Sequence, residues 1–237
     1  MSNCSWFNRI IEYWSLPTAE DVLDHVRRAD VQVVQAGNFG PDFYSLADDG
    51  DFARSWVGMP LVGVEANLDA AEALIPQIQA AGARVVGQLS MTMHFGDQEA
   101  RKGLFGAAWE RIWTDAVLGQ APCAAVEDGL QLDADGSVSR RHIEGRPHYT
   151  YRGCICNPVW MSILKAMVRR ALETGLEGFN ATHNYESFCR CSHCAGYVRE
   201  YLQSRDTFES SEYRALYGCS DPDDIEDSFA PLEDSPV

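Results

Sequence analysis

Five of the eight cysteines fall in two tight groups, Cys154 with Cys156, and Cys189 with Cys191 and Cys194. The second group has the spacing C-x-C-x-x-C, which places three thiolates on one short turn, as a tetrahedral zinc ion requires. Cysteines two or three positions apart seldom bridge each other well, so the clustering favours a metal over disulfides. We therefore predict a zinc site with three ligands from the second group and a fourth from the first.

Four protein ligands would leave no open position for water or substrate, so this predicted zinc is structural rather than catalytic. His193 is an alternative ligand, but its neighbours Cys191 and Cys194 should leave it pointing elsewhere. The remaining cysteines are scattered, and each is most simply a buried or incidental thiol. These are Cys4, Cys123 and Cys219.

Charge and hydropathy exclude several classes of partner. The 237 residues carry a formal net charge of -16, and no basic stripe opposes it, which argues against nucleic acid. No run of 18 apolar residues predicts a membrane helix, and the N-terminus lacks the pattern of a secretory signal. We expect a cytoplasmic protein whose thiols stay reduced.

The last part of the chain differs in composition from the rest. Residues 219–237 contain seven acidic residues, no Lys or Arg, and three prolines. Such a segment cannot bury enough apolar surface to order itself, so we predict one domain over 1–204 and an acidic tail or linker over 205–237. An acidic docking segment is the functional alternative.

Strand and helix patterns alternate along the chain. The predicted strands cover 31–37, 83–91, 124–126 and 177–182, and the predicted helices cover 68–81, 106–118, 158–173 and 192–204. This order predicts about four βα units with a parallel sheet and right-handed crossovers. In such folds, functional residues lie in the loops after the strands, here 37–45, 91–97, 149–156 and 183–194.

The segment from His148 to Leu202 carries a family resemblance. His148-Tyr149, Cys154-x-x-x-Pro158 and the C-x-C-x-x-C motif followed by Tyr197-Val198-x-x-Tyr201-Leu202 resemble the zinc-binding β-galactosidases of the thermophilic type and the related hypothetical glycosyl hydrolases. Residues 37–44 and 58–61 resemble first-strand loops of the latter less specifically. The resemblance implies a (β/α)8 TIM barrel, of which this chain would be the N-terminal half. It also implies Cys154 as the fourth zinc ligand, with Cys156 as the fallback.

The resemblance also implies a reaction. These enzymes hydrolyse glycosides with retention, using two carboxylates about 5 Å apart. An ungapped match places Asn180, not Glu, at the acid/base position, and Glu186 is the nearest carboxylate. The strand that supplies the nucleophile has no match, so we expect these 237 residues alone not to hydrolyse glycosides. The alternative is a sugar-binding or structural module on the same scaffold that lost its acid/base.

Several polar and aromatic residues in the strand-end loops are candidates for contact with a carbohydrate ligand. Each has a simpler interpretation as a packed turn, a cap or a structural histidine. They are Asn38, Phe39, Asp42, Tyr44, His94, Asn180, His183 and Asn184. An open sheet edge would also favour a homo-oligomer.

Overall fold

A computed structural model describes residues 9–47, 49–57, 63–145, 149–182 and 189–203. The strands are β1 (Ile10–Tyr13), β2 (Val33–Asn38), β3 (Arg84–Ser90), β4 (Met93–Asp97), β5 (Lys102–Gly103), β6 (Arg140–His142), β7 (Tyr149–Arg152) and β8 (Phe179–Thr182). The helices are α1 (Ala19–Ala29), α2 (Pro41–Leu46), α3 (Gly50–Val57), α4 (Val64–Ala80), α5 (Ala107–Ile112), α6 (Pro158–Glu173) and α7 (Ser192–Gln203). The predicted tail at 205–237 lies outside the described residues.

The first sheet has the strand order β1-β2-β3-β8, and all three pairs are parallel. The predicted parallel sheet is therefore confirmed, and its predicted strand ends near Gly37, Met91 and Thr182 fall within one residue of those observed. Among the described residues the four strands form an open sheet and not a closed barrel. The half-barrel remains a prediction.

Helices cover one face of the parallel sheet. Val34 and Ala36 of β2 and Val85 of β3 belong to a core that also contains Ile75 and Ile78 of α4. Helix α4 begins at Val64, earlier than the predicted start at residue 68, with Gly63 at its N-cap and Asn67 buried within the helix. The apolar face of the helix already starts at the buried Val64, so tertiary packing extends the helix toward its N-terminus.

The prediction for 106–126 was wrong. Helix α5 stops at Ile112, and Leu118 N–H donates to Ile112 O in the turn that follows. The structure describes residues 124–126 and has no strand there, and Val126 instead begins a 3₁₀ turn, Val126–Gly129. Val117, Leu118 and Val126 contact the core from irregular turns. Apolar residues in this region therefore need not recur at the regular spacing of a helix or strand.

A second, antiparallel sheet of order β5-β4-β7-β6 was not predicted. Its strands β4 and β7 pair from Met93↔Arg152 to Gly96↔Tyr149. The sheet packs next to α2, where Phe95 N–H donates to Ser45 Oγ at 3.1 Å. It matters for function because β7 leads directly into Cys154.

Candidate metal centre and polar sheet face

The loop between β7 and α6 positions the first thiol. Gly153 N–H donates to Thr92 O at 2.9 Å, and Cys154 N–H donates to Gly129 O at 2.9 Å. Asn157 caps α6 through Oδ1, which accepts from Val159 N–H at 2.9 Å, with proline at the first helical position. Cys154 is thus held in a rigid turn with its side chain 1% exposed.

The second loop brings three more thiols to the same place. Arg190 N–H donates to Leu132 O at 2.8 Å, which ties this segment to the turn after the 3₁₀ element. Helix α7 starts at Ser192, and Ala195 N–H donates to Cys191 O at 3.1 Å. Cys189 therefore precedes the helix, Cys191 lies at its start, and Cys194 lies in its first turn.

The sulfur atoms of Cys154, Cys189, Cys191 and Cys194 all lie within 4.8 Å of one another. Cys154 Sγ is 3.6 Å from Cys191 Sγ and 3.4 Å from Cys194 Sγ. Zn–S bonds of about 2.3 Å in a tetrahedron place sulfurs about 3.8 Å apart, so the thiols fit such an ion. All four cysteines are free of disulfides.

The two alternative ligands lie beside this cluster. Cys156 hydrogen-bonds with Cys194 and lines a groove of about 630 Å³ between α6 and α7. His193 lines the same groove and is exposed. The structure therefore brings together the four thiols favoured by the sequence and leaves both alternatives at the groove.

The thiols influence one another's ionisation. A hydrogen bond from Cys154 lowers the pKa of Cys189 to about 5, and the same bond raises the pKa of Cys154. Desolvation raises the pKa of Cys194. The Cys189 thiolate is thus stabilised by the hydrogen bond from Cys154, and several thiolates this close together require a positive ion among them.

Four of the predicted sugar-contacting residues are buried. Asn38 Nδ2 donates to Asp42 Oδ2 at 2.7 Å, and Gly40 N–H donates to Asn38 Oδ1 at 2.9 Å. Burial raises the pKa of Asp42 to about 6. Phe39 and Tyr44 belong to the core beneath the sheet end. In this conformation all four pack the turn after β2, and their contact with a sugar remains a prediction.

His94 on β4 is also buried, with its ring stacked on Tyr151 at a centroid distance of 5.6 Å and packed near Phe105 and Trp160. Neither ring nitrogen has a hydrogen-bonding partner among the described residues. Desolvation lowers the pKa of His94 to about 3, so the ring is neutral at physiological pH. His183, Asn184 and Glu186 lie outside the described residues.

Asn180 lies on the face of the parallel sheet opposite the helices. Its Nδ2 donates to Gln35 Oε1 at 2.6 Å, and Gln35 Nε2 donates to Glu12 Oε1 at 2.7 Å. On the same face, Gln88 Nε2 donates to Thr182 Oγ1 at 3.3 Å. Sequence reasoning identified only Asn180. Glutamines within apolar strands, Gln35 between Val34 and Ala36 for example, were the available signal.

Comparison with known proteins gives a distant likeness of fold. The chain matches no family model, and no curated protein matches it. Among solved structures, a cycloisomaltooligosaccharide glucanotransferase from Paenibacillus sp. is similar over 83% of the chain, with 10% identity and a TM-score of 0.47. The α-galactosidase of Thermus thermophilus is similar over 74%, with 16% identity and a TM-score of 0.42. Morphinone reductase is similar over 73%, with 14% identity and a TM-score of 0.34.

The chain spans 28%, 30% and 44% of the length of these three structures. Because a glucanotransferase, a galactosidase and a reductase are all similar at this level, the likeness carries no information about the reaction. Within the described segments, no helix is both long enough and apolar enough to span a membrane.

Proposed function

We propose that the chain is a glycoside hydrolase-like protein that acts on or binds a carbohydrate and contains a structural zinc ion. The observation that carries the metal part is the convergence of four thiols from two distant loops within 4.8 Å. Zinc would supply a closed, redox-inert crosslink between the turn before α6 and the start of α7. Cys154, Cys189, Cys191 and Cys194 would be its ligands.

Two features support the carbohydrate part. The sequence from His148 to Leu202 resembles zinc-binding β-galactosidases, and the four parallel strands direct their C-terminal ends toward the loops that hold the candidate residues. Such strand ends are where ligands bind in α/β folds. The proposed location is the cytoplasm, where reducing conditions keep cysteine thiols available as zinc ligands.

Glu186 is our candidate for the acid/base, and it lies in the segment between β8 and the proposed zinc ligands. The zinc would then fix the C-terminal end of the segment that carries it. The second candidate function is a sugar-binding module without hydrolysis. It is favoured by Asn180, whose side chain occupies the aligned acid/base position and is already hydrogen-bonded to Gln35.

One set of measurements separates these functions. Purified protein is analysed for zinc, titrated with D-galactose and D-glucose by saturation-transfer NMR, and assayed with aryl β-galactosides. Turnover that is lost in Glu186→Gln supports the enzyme and overturns the expected inactivity of these 237 residues alone. Sugar binding without turnover is the outcome expected both of the module and of an N-terminal half-barrel. Absence of both binding and turnover contradicts the carbohydrate function, and absence of zinc contradicts the metal site.

A further inference from the structure

The face of the parallel sheet that points away from the helices is polar toward the C-terminal ends of the strands. Parallel sheets are normally apolar on both faces, because both are usually covered. Here Ile11, Val34 and Val85 pack toward the helices. The other face is apolar only toward the N-terminal ends of the strands, at Ile10, Val33 and Val86. Register places Glu12 beside Gln35, and Gln88 beside Asn180, so each of the four strands contributes at least one polar side chain to this face.

These side chains form two hydrogen-bonded groups. Gln35, only 3% exposed, links Asn180 to Glu12 with bonds of 2.6 and 2.7 Å. The side chains of β2 and β8 thus meet above β3, the strand between them. Glu12 and Asn180 are themselves exposed, so the face is open to a ligand at both sides of the buried amide.

Gln88 provides the observation that points to a ligand. Its side chain is 6% exposed, and its Oε1 has no hydrogen-bonding partner among the described residues. An amide oxygen buried without a partner is unfavourable, and a hydrogen bond from a ligand hydroxyl would satisfy it. The Gln88 side chain lies on the same face of the sheet as that of Asn180, because the two residues are register partners in β3 and β8.

We propose that Glu12, Gln35, Gln88 and Asn180 form a binding site for a neutral polyhydroxylated ligand, a sugar. Amide groups offer both donors and acceptors, and the Glu12 carboxylate accepts from a hydroxyl pair, which matches adjacent sugar hydroxyls. The carboxylate and the net charge of -16 disfavour phosphorylated or carboxylated ligands. This assignment rests on the proposed carbohydrate function and locates its binding residues.

The test uses the full chain, loaded with zinc, and titrates D-galactose, D-glucose and D-glucose 6-phosphate by calorimetry and saturation-transfer NMR. We expect a neutral hexose to bind and the phosphate to bind at least tenfold more weakly. Glu12→Gln and Gln88→Leu should each weaken hexose binding at least tenfold. The matched controls Glu65→Gln and Gln77→Leu, both on exposed positions of α4, should change it less than twofold.

Thermal unfolding distinguishes a binding role from a structural one. Gln88→Leu should retain or raise the melting temperature, because it removes an unpartnered buried oxygen and only a long bond to Thr182. Hexose binding that survives both variants would overturn the sheet-face site and leave the proposed function standing. No hexose binding by the native chain would overturn both. A dimer that Glu12→Gln dissociates, without sugar binding, would assign the face to a second copy.

Discussion

Gly153 lies so close to the indole of Trp160 that a β-carbon built on the glycine would be 1.7 Å from Trp160 Cε2. The same indole donates from Nε1 to Met91 O at 2.9 Å, just past the end of β3. Trp160 therefore joins the turn that carries Cys154 to the C-terminal end of the parallel sheet. The first proposed zinc ligand is positioned by this contact.

Replacing Gly153 with alanine should destabilise the protein by about 3 kcal/mol. The added methyl group would displace the buried Trp160 indole and weaken the hydrogen bond from Trp160 Nε1 to Met91 O. The variant should also bind zinc more weakly, since Cys154 moves with its neighbour. Chemical denaturation and zinc competition measure the two effects. Gly178→Ala is the control, as its β-carbon would meet Val86 Cγ1 at 3.7 Å, an ordinary contact. Equal stability of the two variants would contradict the packing argument.

The choice of fourth ligand gives a second prediction. Cys154→Ser should reduce bound zinc to well below one ion per chain and destabilise the fold, because metal-binding energy is also folding energy. Cys156→Ser should retain one zinc and a nearly native melting temperature, since this thiol lines the groove outside the four-sulfur cluster. Metal analysis of both purified variants is the measurement. The reverse pattern would make Cys156 the ligand.

Chelation should act through the same four thiols. A strong chelator should lower the melting temperature of the native chain, because it removes the crosslink between the Cys154 turn and the loop before α7. That loop is then held by contacts such as the hydrogen bond from Arg190 N–H to Leu132 O. Restoring zinc should restore stability, whereas magnesium should not, since thiolates prefer the softer ion. A Cys191→Ser variant should start at lower stability and respond little to the chelator. A native chain unaffected by metal removal would contradict the structural role.

The sequence predicted the elements whose signals are local. Asn157-Pro158 marks the start of α6, and the predicted and observed helices coincide. The cysteine spacing predicted the cluster, because three of its thiols lie on one short loop. The antiparallel sheet was missed because β4 and β7 are paired across residues 98–148, and its short strands lack a clear alternation of burial. Neither strand carries a local sequence pattern that identifies the strand it pairs with.

The polar sheet face was missed for a different reason. Gln35 and Gln88 look unremarkable in apolar strands until register shows that they lie on the same side as Glu12 and Asn180. The paired strands of a parallel sheet are separated by long crossover connections, so the sequence of one strand does not show which side chains of another lie beside it. In contrast, the burial of Phe39 and Tyr44 follows from the helix that starts directly after β2 and turns both rings into the core.

Two buried ionisable groups, His94 and Asp42, should affect acid stability in opposite directions. The pKa of His94 falls to about 3 in the folded protein, below its usual 6.5, because the ring is desolvated. The unfolded chain therefore binds more protons between these values, and stability decreases as pH falls through them. The pKa of Asp42 rises to about 6 from 3.8, so the folded chain binds more protons in that window and stability increases as pH falls.

Between pH 4 and 6 the two contributions should nearly cancel, since each approaches about 1.4 kcal/mol per pH unit. Asp42→Asn removes the favourable contribution, so its stability relative to the native chain should decline by about 2 kcal/mol from pH 6 to pH 4. His94→Phe removes the unfavourable one and should gain a similar amount over the same range. Denaturant unfolding at several pH values measures both differences. Subtracting the native free energy of unfolding at each pH removes the contribution of the other carboxylates, which all three proteins share. Parallel curves for all three proteins would show that neither group is perturbed by burial.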